Sequence, residues 1–184
     1  MKHMASIAVL ASLLGVPAVA LPEDETYTEG EIVEEVETWL GVTSEVAADI
    51  VETVFEDLGR PNGFIKGGEA AGAIGVGLRY GEGDLVLKTG ETREVYWQGP
   101  SIGFDTGGNA SRSFTLVYGL EEADDIYQRY PGVEGSAYYV AGVGVNYQAT
   151  EDATLAPMRA GVGLRLGANI GYLAYTEERH ILPF

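Results

Sequence analysis

The sequence predicts a mainly β protein: a small soluble antiparallel β-barrel with two N-terminal helices packed on it and a short crossing helix. Three observations carry that prediction. All but three of the 26 glycines lie between Gly59 and Gly171, punctuating alternating or β-branched runs at close spacing. Many of these glycines fall inside the runs, which suits the tight curvature of a closed barrel better than a flat sandwich. Ahead of them stand two stretches whose apolar residues recur at helical spacing. The chain of 184 residues suffices for one domain of ordinary size. It divides into residues 1–20, an acidic lead and helical region over 21–58, and the barrel over 59–184.

Residues 1–20 read as a secretory signal peptide. Lys2 gives the positive start, an apolar run fills Ala5–Val16, and Ala18-Val19-Ala20 has the small-x-small pattern of a cleavage site. The run is too short for a permanent membrane span, and no later stretch is long and apolar enough for a stable transmembrane anchor. No cysteine follows the signal, so neither a lipid anchor nor a disulfide is expected in the mature chain.

The first helix is predicted from Thr28-x-x-Glu31, a capping box, with Ile32, Val33, Val36, Trp39 and Leu40 as its stripe and Gly41 as its stop. The second is predicted from Ser44 as cap to Gly59, with Val46, Ala47, Ile50, Val51, Val54, Phe55 and Leu58 on one side. Its carboxylates lack the loop pattern of an EF-hand and read as a solvated face. Strands are predicted over 70–80, 84–89, 93–98, 101–105, 113–118, 137–148, 154–157, 158–166 and 168–176. Gly81-Glu82-Gly83 and Thr89-Gly90-Glu91 read as hairpin turns, and residues 120–130 as the crossing helix.

A weak repeat runs through the β region: Gly75-Val-Gly-Leu-Arg-Tyr80, Gly142-Val-Gly-Val-Asn-Tyr147 and Gly161-Val-Gly-Leu-Arg-Leu166. With a period of two, the glycines and Arg79, Asn146 or Arg165 share one face. If that face lines the barrel, its guanidiniums present planar forks of donors to an anionic ligand. The plainer reading pairs the arginines with carboxylates, for which Glu69, Glu82 and Asp105 are candidates. Alternatively the glycine face receives the helices.

Catalytic constellations are scarce. Of two histidines, His3 falls in the signal and His180 stands alone near the C-terminus. A Ser-His-Asp triad would hang on that single residue. There is no thiol nucleophile, no thiolate metal site and no complete Gly-x-Gly-x-x-Gly. With 28 acidic residues, a glycosidase-like carboxylate pair arises by chance. A formal charge of -17 excludes a basic nucleic-acid face. Neither a cofactor, a metal nor an enzymatic activity is expected.

One set of strings adds to this reading. Gly59-Arg-Pro-Asn62, Gly77-Leu-Arg-Tyr-Gly-Glu-Gly83, Trp97-Gln-Gly-Pro-Ser-Ile-Gly-Phe-Asp105, Leu116-Val-Tyr118, Tyr127-Gln-Arg129, Gly132-Val-Glu-Gly-Ser-Ala-Tyr138, Gly161-Val-Gly-Leu-Arg-Leu-Gly167 and Asn169-Ile-Gly-Tyr-Leu173 occur in that order. They resemble the envelope integrity protein A (EipA) family of alphaproteobacteria, over about residues 59–176. The resemblance implies a periplasmic protein with a small β-barrel and a role in envelope homeostasis, and it brings no enzymatic activity. The ending His180-Ile-Leu-Pro-Phe184 departs from the family's pattern. The same strings faintly resemble the SYLF lipid-binding domain, which implies a phospholipid or other amphiphile as ligand. The acidic charge opposes simple attraction to an anionic membrane surface.

Three functions follow as expectations. The first is a non-enzymatic periplasmic protein that contacts an envelope component or periplasmic partner, with Tyr127, Tyr130, Tyr138 and Tyr139 as a candidate patch; the plainer reading packs these tyrosines onto the barrel. The second is a lipid or amphiphile carrier using Arg79, Asn146 and Arg165, which needs an apolar cavity. A glycan hydrolase ranks last.

Overall fold

The computed structural model describes residues 22–74, 76–102, 109–160 and 169–180. The expected signal peptide and Arg165 lie outside them, as do Asp105 and the whole of the third repeat. Local chemistry sets the first helix, α1 (Glu29–Leu40). Thr28 Oγ1 accepts from the Glu31 amide at 3.4 Å, and Glu31 Oε2 accepts from the Thr28 amide at 2.8 Å, completing the capping box. Gly41 ends the helix at φ 69°, where a side chain would be strained. For α2 (Ser44–Leu58) the cap is Thr43, one residue earlier than expected: its hydroxyl accepts from the Val46 amide at 3.3 Å, and Ser44 is already helical.

The strands follow as β1 (Gly63–Ile74), β2 (Val76–Leu87), β3 (Thr92–Ile102), β4 (Asn109–Tyr118), β5 (Arg129–Pro131), β6 (Tyr138–Val140), β7 (Val143–Val145), β8 (Gln148–Ala149), β9 (Thr154–Ala160), β10 (Asn169–Ile170) and β11 (Tyr172–Thr176). The sheet is antiparallel in the order β5-β11-β3-β2-β1-β4-β9-β7-β6, with β10 against β3 and β8 against β9. It curls until its ends meet at a bridge between Gly132 and Gln148, beside a 2.9 Å hydrogen bond from the Val133 amide to the Tyr147 carbonyl.

Several expectations change here. The strand expected over 70–80 is divided between the paired β1 and β2, and the one over 137–148 among β6, β7 and β8. Gly81-Glu82-Gly83 is no turn: β2 runs straight through it, paired with β1 from Val76 opposite Ile74. The glycines serve close packing inside the sheet. The crossing helix over 120–130 contracts to a single 3₁₀ turn, Ala123–Ile126, because Tyr130 is drawn into β5 and pairs with Leu173. The Thr89-Gly90-Glu91 turn is present, with Gly90 at φ 95° and the Leu87 amide donating to Glu91 O at 2.9 Å.

Strand alternation gives the sheet two faces. The outer one carries Phe64, Phe114, Leu116, Val145, Ala156 and Met158, onto which the helices lay Ile32, Val36, Ala47, Ile50 and Val54. The inner one gathers Ile65, Leu85, Val95, Val117, Leu155 and Leu173 from strands all around the ring, stoppered by Ala123 and Ile126 of the 3₁₀ turn. Each such side chain removed from water contributes roughly 1.5–3 kcal/mol.

Candidate functional site

Beyond that apolar filling, the inner face turns polar. The change begins at Trp97, whose indole lies on a bed of glycines. A Cβ on Gly81 would come within 2.0 Å of the ring, and one on Gly67 within 2.4 Å. Pressed flat there, the indole tilts against Tyr175 at 5.9 Å between ring centroids and points Nε1 at Glu69, donating to Oε2 at 3.1 Å.

Glu69 is the hub. Its Oε1 accepts from Arg159 Nε at 2.5 Å and lies 3.0 Å from Arg79 Nη1. Arg159 Nη1 also donates to Asn146 Oδ1 at 2.8 Å. Strand register places these residues together: Gly81 faces Glu69 across β1–β2, Trp97 faces Gly81 across β2–β3, and Arg159 faces Gly144 across β7–β9. Glu69, Arg79 and Arg159 are 5%, 8% and 3% exposed, so the layer is an interior one.

Burial by itself would raise the Glu69 pKa. The charges of Arg159 and Arg79, with hydrogen bonds from Arg159 and Trp97, outweigh it and hold the carboxyl below its ordinary range. Burial brings Arg79 down to about 10, with the Arg159 charge adding to the fall and Glu69 and Tyr175 opposing it. Glu69 is the single buried carboxylate among the described residues, so two guanidiniums share one negative charge. Arg79 Nε and Nη1 and Arg159 Nη2 are buried and make no hydrogen bond, and both amide atoms of Gln148 are likewise unpartnered.

Of the residues singled out from sequence, Arg79 and Asn146 are thus linked through the Glu69–Arg159 pair. The carboxylate expectation holds for Glu69. Glu82 instead stands exposed and pairs with Arg179. Arg159 was not anticipated. Its alternation with Leu155 and Pro157 was the available signal, obscured by dividing β9 into two strands at Met158.

The four tyrosines do not form a patch. Tyr130 is fully buried in the inner cluster, edge-on to Tyr175 at 5.5 Å. Tyr127 packs against the same cluster and donates to Glu94 O at 3.0 Å. Tyr138 belongs to the helix side: its hydroxyl is 2.8 Å from that of Tyr147, which donates to Asp57 Oδ2 at 2.6 Å. Only Tyr139, 48% exposed, is a large hydrophobic side chain open to solvent among the described residues. Among those residues no group of three or more His, Asp or Glu is placed to hold a metal ion, and no helix is long and apolar enough to cross a membrane.

The model of a family described as envelope integrity protein A matches residues 25–184. No curated protein matches the chain. Among solved structures, a crystal structure of a β-barrel-like, uncharacterized protein from Brucella abortus is similar at 47% identity. It aligns with a TM-score of 0.78, over 87% of this chain and 99% of that one.

Proposed function

The chain belongs to the envelope integrity protein A family, and from that premise we propose a non-enzymatic periplasmic protein, exported by its N-terminal signal, that supports envelope integrity by contacting another envelope component. The family's name ties it to the envelope. The observation that carries the rest of the reading is the filled inner face: side chains from strands around the whole ring meet in one apolar cluster. A carrier of lipid chains needs an apolar cavity of roughly 300 Å³ or more, and this cluster occupies the place for one along the described strands.

Native mass spectrometry on protein taken from its own periplasm tests the proposal. The expected result is a chain beginning at Leu21 with no lipid bound. A mass excess that disappears on denaturation and fragments as a lipid overturns it in favour of a carrier. Deletion of the gene is expected to lower survival in detergent, and unchanged survival refutes the envelope role.

A further inference from the structure

We propose that the ionic layer inside the barrel binds a singly charged oxyanion, a carboxylate or phosphate group, through Arg79 and Arg159. The inference stands on the geometry of that layer and is independent of the envelope reading. Two arginines against one glutamate leave one positive charge over, and no other buried carboxylate among the described residues balances it. A buried charge without a partner is costly, and so is each buried N–H without an acceptor. Here both deficits fall on the same two side chains. Arg79 makes no hydrogen bond through Nε, its Nη1 meets Glu69 Oε1 as an ion pair without a hydrogen bond, and Arg159 makes none through Nη2, although each is more than nine-tenths buried.

The contacts already made are as informative as those missing. Both guanidiniums approach the same oxygen, Glu69 Oε1, while Oε2 takes the Trp97 indole. Glu69 therefore holds two like charges side by side without saturating either fork. Guanidinium forks match the paired oxygens of carboxylate and phosphate. The single surplus charge among the described residues selects a monoanion. The depressed Arg79 pKa, owed to burial and then to Arg159, agrees with a cation lacking its full counter-charge. The chemistry is common to a free anion and to the headgroup of an anionic lipid.

The chain's two tryptophans report on the two faces. Trp97 Nε1–H donates to Glu69 in the layer, and Trp39 Nε1–H donates to Ser113 O from the helix side at 3.0 Å. In ¹H–¹⁵N spectra of the mature protein, mildly acidic sodium phosphate, where the monoanion dominates, is compared with sodium chloride at equal ionic strength. The expected result is a saturable shift of the Trp97 indole signal with phosphate and none for Trp39. Arg79→Gln and Arg159→Gln are each expected to weaken phosphate binding about tenfold or more, and the surface variant Arg179→Gln to leave it unchanged. Failure of phosphate and of acetate to move Trp97 saturably overturns the proposal, as does an equal response to chloride. If either variant does not fold, the wild-type signals decide alone. A second titration uses dihexanoyl phosphatidylglycerol below its micelle concentration. Binding tighter than phosphate assigns a lipid headgroup, and equal or weaker binding assigns a free anion; either upholds the site.

Discussion

The two faces of this sheet are buried by different means. On the outer face α1 and α2 lay aliphatic side chains on Phe64, Phe114, Leu116 and Met158, and the centre of the contact is carbon on carbon, with the hydrogen bonds of Trp39 and Tyr147 beside it. The inner face is closed by carbon at one end and by charge further along, where Glu69 faces Arg79 and Arg159. Apolar contact is non-directional and tolerates repacking. The ionic layer does not: it needs glycines for the indole to lie on, an indole to hold the carboxylate, and a carboxylate to hold two cations. The outer face is thus specified by composition, and the inner one by geometry.

The sharpest way to break that contrast is Glu69→Gln. It strands two buried guanidiniums without a charge and is expected to cost about 3–5 kcal/mol in urea unfolding. Arg79→Met removes the surplus cation instead and is expected to cost less than half as much. Equal costs would show that the layer carries no excess charge. Next comes Gly81→Ala, expected to cost about 1–3 kcal/mol by pushing its methyl into Trp97. Gly68→Ala, nearby on β1 with nothing within 4 Å of its added methyl, is expected to stay within about 0.5 kcal/mol of wild type. On the helix side, Ile50→Val is expected to cost about 0.5–1.5 kcal/mol, and its thermal melt to remain a single transition.

The smallest effect concerns acid. The Lys88 ammonium, through its hydrogen bond, and then Thr28 hold the exposed Glu31 carboxyl at about 2, against an ordinary 4.5. A carboxyl depressed by folding contributes stability that is fully present above its unfolded pKa and is lost as pH falls through the folded one. The contribution of Glu31 therefore declines from about pH 4.5 towards 2, and Glu31→Gln is expected to flatten the stability profile in that window. Glu69, also depressed by folding, acts in the same direction.

What was legible in the sequence was local or periodic. The Thr28–Glu31 box, the glycine stops and the apolar stripes of both helices act within a few residues, and each appears as read. Strand alternation put Arg79 on the glycine face, and Glu69 was among its candidate partners. Where glycine has two uses, local reading chose the commoner: Gly81 and Gly83 suggested a turn, while the structure uses Gly81 as a floor for Trp97, sixteen positions along the chain. Arg159 reaches Glu69 across ninety positions of sequence, and no spacing rule spans that distance. Tyr130 and Tyr139 are chemically alike, yet one is fully buried and the other half exposed. Tertiary register alone separates them.

The Gly132–Gln148 bridge has a mechanical consequence. β1 and β2 are each 12 residues long and fully zipped together, whereas among the described residues the ring is fastened at its last join by one bridge, a neighbouring backbone hydrogen bond and the Ser136 hydroxyl against the Tyr147 backbone. A cylinder laced so unevenly has a preferred place to breathe. Parting β5 from β8 gives up few bonds, while parting any long ladder undoes the sheet, so the seam acts as a latch. Amide protons at Val133 and Gln148 are expected to exchange with solvent well before those of β1 and β2.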